Sequence, residues 1–408
     1  TPLYSSAASD VYKRQDLGQH KLINADCLEY MRALPGDCID SVICDPPYGL
    51  GFMGQQWDQS VPGLEWAQEL LRVAKPGAHA ICFGGTRTYH RLAVALEDAG
   101  WEIRDCLGWV YTSGFPKSHN VSKAIDREAG AVREVVGINE SVNVYAGRHA
   151  FGPSMAGQAY TKSPITAPAT EAAQKFDGWG TALKPSFEPA VLARKPLEGT
   201  IAQNVLRWGT GALNIDAARF GYGDPCWVGP QGVNLNGGGY SPDSGSRGAG
   251  FTINRGLSGF VDPGGRWPAN LYHCPKASRS EREAGCEGLN GSAWNDGRQA
   301  PADNPRLRGA TERGNHHPTV KPLTLFRWLA RLCTPIDGWI FDPFLGSGTT
   351  MLAAELEGFR CVGVEMNPEY IKIIQARFSG IPILRKMASG QTLTSADKQD
   401  LISQGELF

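Results

Sequence analysis

The chain has 408 residues, of which 41% are hydrophobic and 20% are charged, and its formal net charge is −1. This composition is typical of a soluble globular protein, and no apolar run approaches the ~18 residues that span a bilayer. The near-neutral charge excludes a uniformly basic nucleic-acid coat, so contact with DNA would need a local patch. Ten scattered cysteines without a CxxC spacing predict reduced thiols in the cytosol. Cys274 and Cys286 lie near His273 but match no zinc-module spacing, so we predict no metal site.

The first part of the chain alternates between strand and helix patterns. Residues 1–15 (TPLYSSAASDVYKRQ) resemble a translated sequencing adaptor, so we interpret them as a non-native leader outside the fold. From residue 21 the sequence predicts a strand (KLINAD), a helix (CLEYMRAL) and a strand (SVIC) that ends before Asp45. A helix at 64–74, a strand at 78–83 and a helix at 86–99 follow. This alternation indicates a mostly parallel sheet.

The same alternation returns only near the other end of the chain. It fades after residue 109, and the segment 221–265 contains 14 glycines among 45 residues, which argues against a packed core there. Helices at 323–332, 349–357 and 368–378 and strands at 339–341 and 360–364 restore it. We therefore predict one α/β sheet assembled from both ends. Its halves are residues 16–110 and 316–380, with an irregular insertion at 111–315 and a tail at 381–408.

A glycine-rich turn between strand 339–341 and helix 349–357 predicts a nucleoside site. Gly346 and Gly348 let the backbone approach a ligand closely, and the start of the helix offers free N–H donors. Glu365 ends the next strand, where doubly wound folds place the carboxylate that holds a ribose diol. The turn lacks the lysine of a triphosphate loop and the third small residue of a dinucleotide loop, where Leu352 stands. The alternative is a tight turn with a surface carboxylate.

A second loop, Asp45-Pro46-Pro47-Tyr48, follows the strand SVIC and should emerge at the carboxyl edge of the sheet. Its prolines remove N–H donors and leave carbonyl acceptors. An aromatic amine is a poor nucleophile, but Asp45 and the Pro46 carbonyl could accept both amino hydrogens and hold the nitrogen toward tetrahedral geometry. Tyr48 could stack on a base that has been flipped out of a duplex. The alternative is a rigid turn with a capping Asp and a half-buried Tyr.

Together the two loops resemble the permuted beta group of bacterial and phage DNA amino-methyltransferases, in which the catalytic motif precedes the cofactor motif. Residues 317–322 (HPTVKP) and 109–123 (WVYTSGFPKSHNVSK) are similar to family elements, and 184–189 (KPSFEP) with 266–270 (RWPAN) are similar to prophage-type members. The resemblance implies a Rossmann-like S-adenosylmethionine-dependent methyltransferase sheet, with S-adenosylmethionine as cofactor and no metal. It assigns to the cofactor pocket Asp26, Lys321, Asp342, Phe344, Gly346, Ser347, Gly348, Thr349 and Glu365.

The resemblance also carries expectations about the target. Asp45 at the first position usually accompanies N6-adenine methylation, whereas Ser there usually accompanies N4-cytosine methylation, so we expect N6 of adenine in double-stranded DNA. Methylation of cytosine N4 is the alternative, and a non-catalytic DNA-binding regulator and a dinucleotide-dependent oxidoreductase are more remote ones. We expect a cytoplasmic protein of a bacterial or phage-infected cell, with a homodimer and a separate restriction endonuclease as open partners.

The insertion at 111–315 is where we expect DNA to be recognised. Between residues 111 and 320 the chain has 22 Lys and Arg against 18 Asp and Glu, which permits a basic surface. Base-specific contacts come from individual side chains, and each candidate could equally be a core residue or solvated surface charge. The candidates for the target-base pocket or for DNA contact are Trp109, Phe115, Lys117, Arg247, Arg255, Lys276 and Arg279.

Overall fold

The computed structural model describes residues 13–51, 56–111, 114, 118–141, 161–221, 224, 226, 265–289, 292–293 and 312–391. Four of the predicted DNA-contact residues, Phe115, Lys117, Arg247 and Arg255, lie outside these described residues. Their assignment stays a prediction.

The first part of the chain forms the elements β1 (Lys13–Leu17), β2 (His20–Asn24), α1 (Cys27–Ala33), β3 (Ile39–Cys44), α2 (Leu64–Val73), β4 (Ala74–Phe83), α3 (Tyr89–Asp98) and β5 (Glu102–Val110). β2, α1, β3, α2 and α3 lie where the periodicity predicts them. β4 begins earlier than predicted, because Ala74 already pairs with Ile39 before the register shifts and His79 pairs with Ser41.

The middle of the chain contributes α4 (Val121–Glu128), β6 (Val135–Ser141), β7 (Thr161–Thr166), α5 (Glu171–Lys175), β8 (Phe187–Arg194), α6 (Ile201–Trp208), β9 (Leu271–His273), α7 (Arg279–Glu283), β10 (Ser292–Ala293) and β11 (Glu312–Arg313). The last part contributes α8 (Leu323–Cys333), β12 (Trp339–Asp342), α9 (Thr349–Glu357), β13 (Arg360–Glu365), α10 (Pro368–Ser379) and α11 (Ile381–Ala388).

Nine of the described strands form one sheet, in the order β1-β2-β13-β12-β3-β4-β8-β5-β9. The run from β2 through β13, β12 and β3 to β4 is parallel, with strands from the two ends of the chain side by side. This confirms the prediction of a mostly parallel α/β sheet assembled from both ends. Apart from this sheet, β6 pairs with β7 and β10 pairs with β11.

Elements of the structure cross three of the predicted boundaries. β8 and β9, inside the predicted insertion, pair with strands of the main sheet. The last six residues of β8 are buried, which suits a strand in the interior of the sheet. Residues 13–15 of the excluded leader belong to β1, since pairing with β2 uses backbone groups that any sequence supplies. The predicted tail begins with α11, whose Ile383 and Leu384 are buried.

Helices cover both faces of the sheet, as predicted. Successive strand residues point to opposite faces, so Val42 packs in one hydrophobic core and Ile43 in the other. The Val42 core includes side chains of α1, α2 and α3, and the Ile43 core includes side chains of α8, α9, α10 and α11. Among the described residues, no helix is long and apolar enough to cross a membrane, and no group of three or more His, Cys, Asp or Glu could hold a metal.

The central strands should dominate stability. Ile81 on β4 is 0% exposed, so we expect Ile81→Ala to lower the free energy of unfolding by about 2–5 kcal/mol through lost burial and a residual cavity. Val94→Ala on the outside of α3, where the side chain is 52% exposed, is the control and should change it by less than about 0.5 kcal/mol. Denaturant unfolding measures both, and equal losses would contradict the assignment of this core.

Candidate active site

The two predicted loops meet at one edge of the sheet. β3 and β12 are adjacent and parallel, so Asp45, which follows β3, and Asp342, which ends β12, lie at the same edge. A cavity of about 260 Å³ lies between the loops, and its wall includes Asp45, Asp342, Gly346 and Glu365. Residues about 300 positions apart in sequence therefore share one site.

Hydrogen bonds hold the loop after β3 in place. The Tyr48 hydroxyl donates to Asp45 Oδ1 at 2.8 Å. Asp58 is buried, and its carboxylate accepts hydrogen bonds from the backbone N–H groups of Tyr48, Gly49 and Leu50 at 2.6, 2.9 and 3.3 Å. These N–H groups find no partner in a strand, so Asp58 supplies the acceptor that a buried loop needs.

Lys321 brings a positive charge to the same loop. Its ammonium donates to Asp45 Oδ2, and Nζ lies 3.1 Å from the Tyr48 hydroxyl oxygen and 3.3 Å from Glu188 Oε2. The Lys321 side chain is only 7% exposed, and a buried charge is stable only when it is paired. The resemblance assigned Lys321 to the cofactor pocket. The structure places it on the wall of the cavity, where it is bonded to Asp45.

Burial and charge shift the pKa values of this cluster. Burial raises the pKa of Asp45, although the Lys321 ammonium lowers it in part. Burial also raises the pKa of Tyr48 well above its usual value, and the neighbouring carboxylates raise it further. Burial opposes ionisation of both Lys321 and Glu188. The carboxylates of Asp45 and Glu188 nevertheless raise the pKa of Lys321, and the ammonium groups of Lys321 and Lys276 lower the pKa of Glu188. The cluster therefore holds an ammonium and a neutral phenol beside two carboxyl groups.

The glycine loop is held by the two carboxylates that the sequence places in the cofactor pocket. The Gly346 N–H donates to Glu365 Oε2 at 2.8 Å, and Gly346 has a φ of +56°, in the region that favours glycine. The Phe344 N–H donates to Asp342 Oδ1 at 2.9 Å, and the Thr350 hydroxyl donates to the other Asp342 oxygen. The loop is thus fixed from the ends of β12 and β13.

Besides Asp45, three carboxylates line the cavity. Burial raises the pKa of Asp342 and of Glu365 to about 7, so both titrate near neutral pH. Asp26 also lies on the wall, where its Oδ1 accepts from the backbone N–H groups of Leu28 and Glu29 at 2.9 and 3.1 Å and caps α1. Asp26 therefore has a structural role in addition to its predicted one.

A buried arginine on α10 forms hydrogen bonds with the residues at the start of α9. Arg377 on α10 is 0% exposed and donates from Nη1 to the Ser347 carbonyl at 2.6 Å, to the Ser347 hydroxyl at 3.1 Å and to the Thr349 hydroxyl at 3.2 Å. Gly348, which precedes α9, has a φ of +85°. Ser347 and Thr349 line the cavity, so Arg377 fixes part of its wall.

The family model of the N6/N4 methyltransferases, described as DNA methylase, matches residues 39–376 of this chain. The chain belongs to this family. The matched range contains the loop after β3, the glycine loop and Lys321, whereas Asp26 on the cavity wall and Arg377 lie outside it.

Individual relatives of this chain are more distant. The type II methyltransferase M.HindIII of Haemophilus influenzae is 22% identical over 316 residues, which are 77% of this chain and 65% of the relative. The DNA adenine methyltransferase YhdJ of Escherichia coli is 37% identical over 71 residues, which are 17% of this chain and 24% of the relative. The chain thus spans at most about two thirds of these relatives. The solved PvuII DNA methyltransferase (cytosine-N4-specific) is 13% identical, with a TM-score of 0.45 and coverage of 90% of this chain and 92% of that one.

The predicted target-base and DNA residues are only partly brought together. Trp109 is 3% exposed, belongs to the hydrophobic core and donates from its indole N–H to the Cys274 carbonyl at 3.0 Å. Its assignment to the target-base pocket stays a prediction. Lys276 is exposed, with Nζ 4.3 Å from the centre of the Tyr111 ring. Arg279 is exposed at the start of α7. Lys276 and Arg279 remain candidates for phosphate contact.

Four side chains of the site were missed from the sequence. Glu188 and His317 stand inside the motifs KPSFEP and HPTVKP, so these motifs are the sequence signal by which the two residues could be predicted. Asp58 and Arg377 stand in no motif, and a lone Asp or Arg in a sequence does not reveal the backbone groups that it will bond. Only the folded chain brings these partners together.

Gly346→Ala should weaken ligand binding in the cavity. A Cβ at this position would lie 2.9 Å from Nε2 of His317, a buried ring that cannot move freely. We expect at least about a tenfold loss of affinity for the nucleoside ligand, measured by calorimetry. Gly358→Ala is the matched control, because its φ is +78° but a Cβ there meets no atom within 4 Å. Equal affinity losses in the two variants would contradict this role for the Gly346 contact.

Proposed function

We propose that this chain transfers a methyl group from S-adenosylmethionine to the exocyclic amino group of a base in double-stranded DNA. One observation carries the proposal: the acceptor-rich loop after β3 and the glycine loop after β12 line the same cavity. A nucleoside site next to acceptors for an amine is what such a transfer needs. Membership of the N6/N4 DNA methylase family supports it.

The residues of the cavity fit a positively charged nucleoside. Glu365, at the end of β13, accepts hydrogen bonds from the ribose hydroxyls in this proposal. Asp26 and Asp342 add negative charge to the wall, which suits a sulfonium and disfavours a triphosphate. The Phe344 ring lies 5.6 Å from the Trp66 ring and offers an apolar surface. When bound, S-adenosylmethionine supplies the activated methyl group, and these residues bind and orient it.

The loop after β3 prepares the target nitrogen. Asp45 and the Pro46 carbonyl accept hydrogen bonds from the two amino hydrogens, which favours tetrahedral geometry and frees the nitrogen lone pair. Each carboxylate oxygen has two lone pairs, so Asp45 can accept from the amine while it is bonded to Lys321 and Tyr48. Asp45 is also the base placed to take the proton that the nitrogen loses after transfer.

A base inside a duplex cannot reach this cavity, so the target nucleotide has to flip out of the helix. Stacking on an aromatic ring offsets the energy that unstacking costs. Tyr48 is the aromatic residue of the loop, and its hydroxyl is tied to Asp45, which holds the ring beside the acceptors. We propose that the flipped base stacks on Tyr48.

We propose N6 of adenine as the methylated atom. Asp45 at the head of the loop favours adenine, and the similar relative YhdJ is named a DNA adenine methyltransferase. Cytosine N4 is the alternative, because its amino group poses the same hydrogen-bonding problem. The proposal places the protein in a bacterial cytoplasm, where its ten cysteines, all free thiols, stay reduced. A separate restriction endonuclease and a second copy of this chain are proposed partners.

Expression in a host that lacks DNA methylation, followed by base-resolved sequencing of modifications, tests the proposal. We expect N6-methyladenine at a fixed sequence. In the same assay Asp45→Ala should lower methylation at least about 100-fold, because the amine loses its acceptor, while calorimetry finds S-adenosylmethionine binding retained. Asp98→Ala on the exposed end of α3 is the control and should methylate normally.

The outcomes of this experiment separate the alternatives. N4-methylcytosine alone would overturn adenine as the target and keep the methyltransferase. An unmodified genome would overturn the proposed function. Full methylation by Asp45→Ala would refute the role of the loop after β3.

Affinity for S-adenosylmethionine should rise with pH. Burial raises the pKa of Glu365 to about 7, and only the ionised carboxylate can accept from both ribose hydroxyls. Below this pKa, affinity should increase about tenfold per pH unit and level off above about pH 8. Glu365→Gln should flatten most of this dependence in calorimetric titrations, with a remainder from Asp342, whose pKa is also about 7. An unchanged pH profile in the variant would contradict the assignment.

A further inference from the structure

Glu188 is a second carboxylate in the candidate active site. β8 runs antiparallel to β4, so its first residues lie at the edge where β3 and β4 end. Glu188, the second residue of β8, pairs with Trp109 of β5 there. Its side chain is only 17% exposed. A strand from the middle of the chain thus delivers a carboxylate to the loop that follows β3.

Glu188 contacts the same groups as Asp45. Its Oε2 lies 3.1 Å from the Tyr48 hydroxyl oxygen and 3.3 Å from Lys321 Nζ, and it accepts a hydrogen bond from Tyr111. The Tyr48 hydroxyl has one hydrogen, so it donates to either Asp45 or Glu188 at a given time. Within the described part of the chain, the ionisable groups that face the two carboxylates are Cys44, Tyr48, Tyr111, Lys276, Lys321 and Asp342.

The two carboxylates compete for one buried cation. Lys321 lies between Asp45 and Glu188, whereas Lys276 is exposed and attracts Glu188 from the outer side. If Asp45 faced Lys321 alone, the ammonium would satisfy more of its lone pairs and weaken it as an acceptor. In the structure the ammonium donates to Asp45 Oδ2 and also lies 3.3 Å from Glu188 Oε2, so the second negative charge shares it and leaves part of Asp45 available.

We propose that Glu188 is a positioning residue, which shares the Lys321 ammonium and the Tyr48 hydroxyl with Asp45 so that Asp45 stays available to the amino group of the target base. This inference rests on the proposed methyl transfer and adds a residue to it. Glu188 acts through Asp45 and need not touch the base. Its negative charge, held with Oε2 at 3.3 Å from Lys321 Nζ, carries the role.

The charge of Glu188 should set the pH at which Asp45 works. Asp45 accepts from the amine only when ionised, so activity is lost as pH falls through its pKa. The negative charge of Glu188 raises that pKa. Removal of the charge lowers the pKa of Asp45, so the acid limb of the pH profile moves to lower pH even though the rate falls.

Glu188→Gln tests the proposal, because the amide keeps the size of the side chain and removes its charge. We expect the single-turnover rate constant for labelled methyl transfer to DNA to fall about tenfold or more. The acid limb should move down by about half a pH unit or more. Affinity for S-adenosylmethionine, from calorimetry, should stay within about threefold of wild type. A purely structural role would not move the limb.

Glu102→Gln is the matched control. Glu102 on β5 also accepts from a buried cation, Arg194 of β8 at 2.6 Å, but at the opposite end of the same strand pair. Its rate and pH profile should equal those of wild type. A loss of rate in this control as large as in Glu188→Gln would refute a specific role for Glu188.

Wild-type rate and acid limb in Glu188→Gln would overturn the proposal, and so would a lower rate with an unmoved limb. If that variant does not fold, Glu188→Asp decides, because the shorter carboxylate should lower the rate and move the limb in the same direction by a smaller amount. Wild-type values in Glu188→Asp would then overturn the proposal. Absence of transfer by the wild-type protein would instead refute the proposed function.

Discussion

The parallel pairing of β3 with β12 is the contact on which the site depends. Only two residue pairs define it, Ser41 with Ile340 and Val42 with Phe341, and a buried hydrogen bond of 2.9 Å between the Ser41 and Thr334 hydroxyls lies next to it. Because parallel strands end at the same edge, this pairing alone brings the loop after β3 to the glycine loop. The two hydrophobic cores above and below the sheet stabilise the pairing, so the geometry of the site depends on the packing of these cores.

A second constraint is electrostatic. The edge of the sheet collects several carboxylates in a partly buried space, and each would be costly there without a donor. Backbone N–H groups satisfy Asp58 and Glu365, a hydroxyl and a backbone N–H satisfy Asp342, and the buried Lys321 ammonium bonds Asp45 and lies 3.3 Å from Glu188. The carboxylates bonded by N–H groups shape the loops. The carboxylate bonded by Lys321 keeps its remaining lone pairs toward the cavity, which suits the residue proposed to hold the amine.

The middle of the chain has a larger part in the site than a separate recognition insertion would have. β8 enters the sheet between β4 and β5, and its antiparallel direction carries Glu188 back to the catalytic edge. The segment that follows β9 brings Lys276 over Tyr111 near the same place. Residues that precede and follow the long glycine-rich stretch are therefore built into the active edge. A DNA-contacting surface attached to these residues would be positioned relative to Asp45 by the sheet itself.

The sequence by itself determined the α/β alternation, the two loops and the pocket residues of the glycine turn, because these depend on short-range periodicity and on local turn chemistry. Asp45, Gly346 and Glu365 lie where their local patterns place them. Tertiary structure alone decided that Lys321 pairs with Asp45, that Glu188 shares it, and that Trp109 is a core residue. The reason is physical: an ion pair, a strand partner and a burial fraction depend on which distant segments meet. The position of β8 in the sheet does not follow from its sequence, because its short apolar run has neither a helical nor an alternating period.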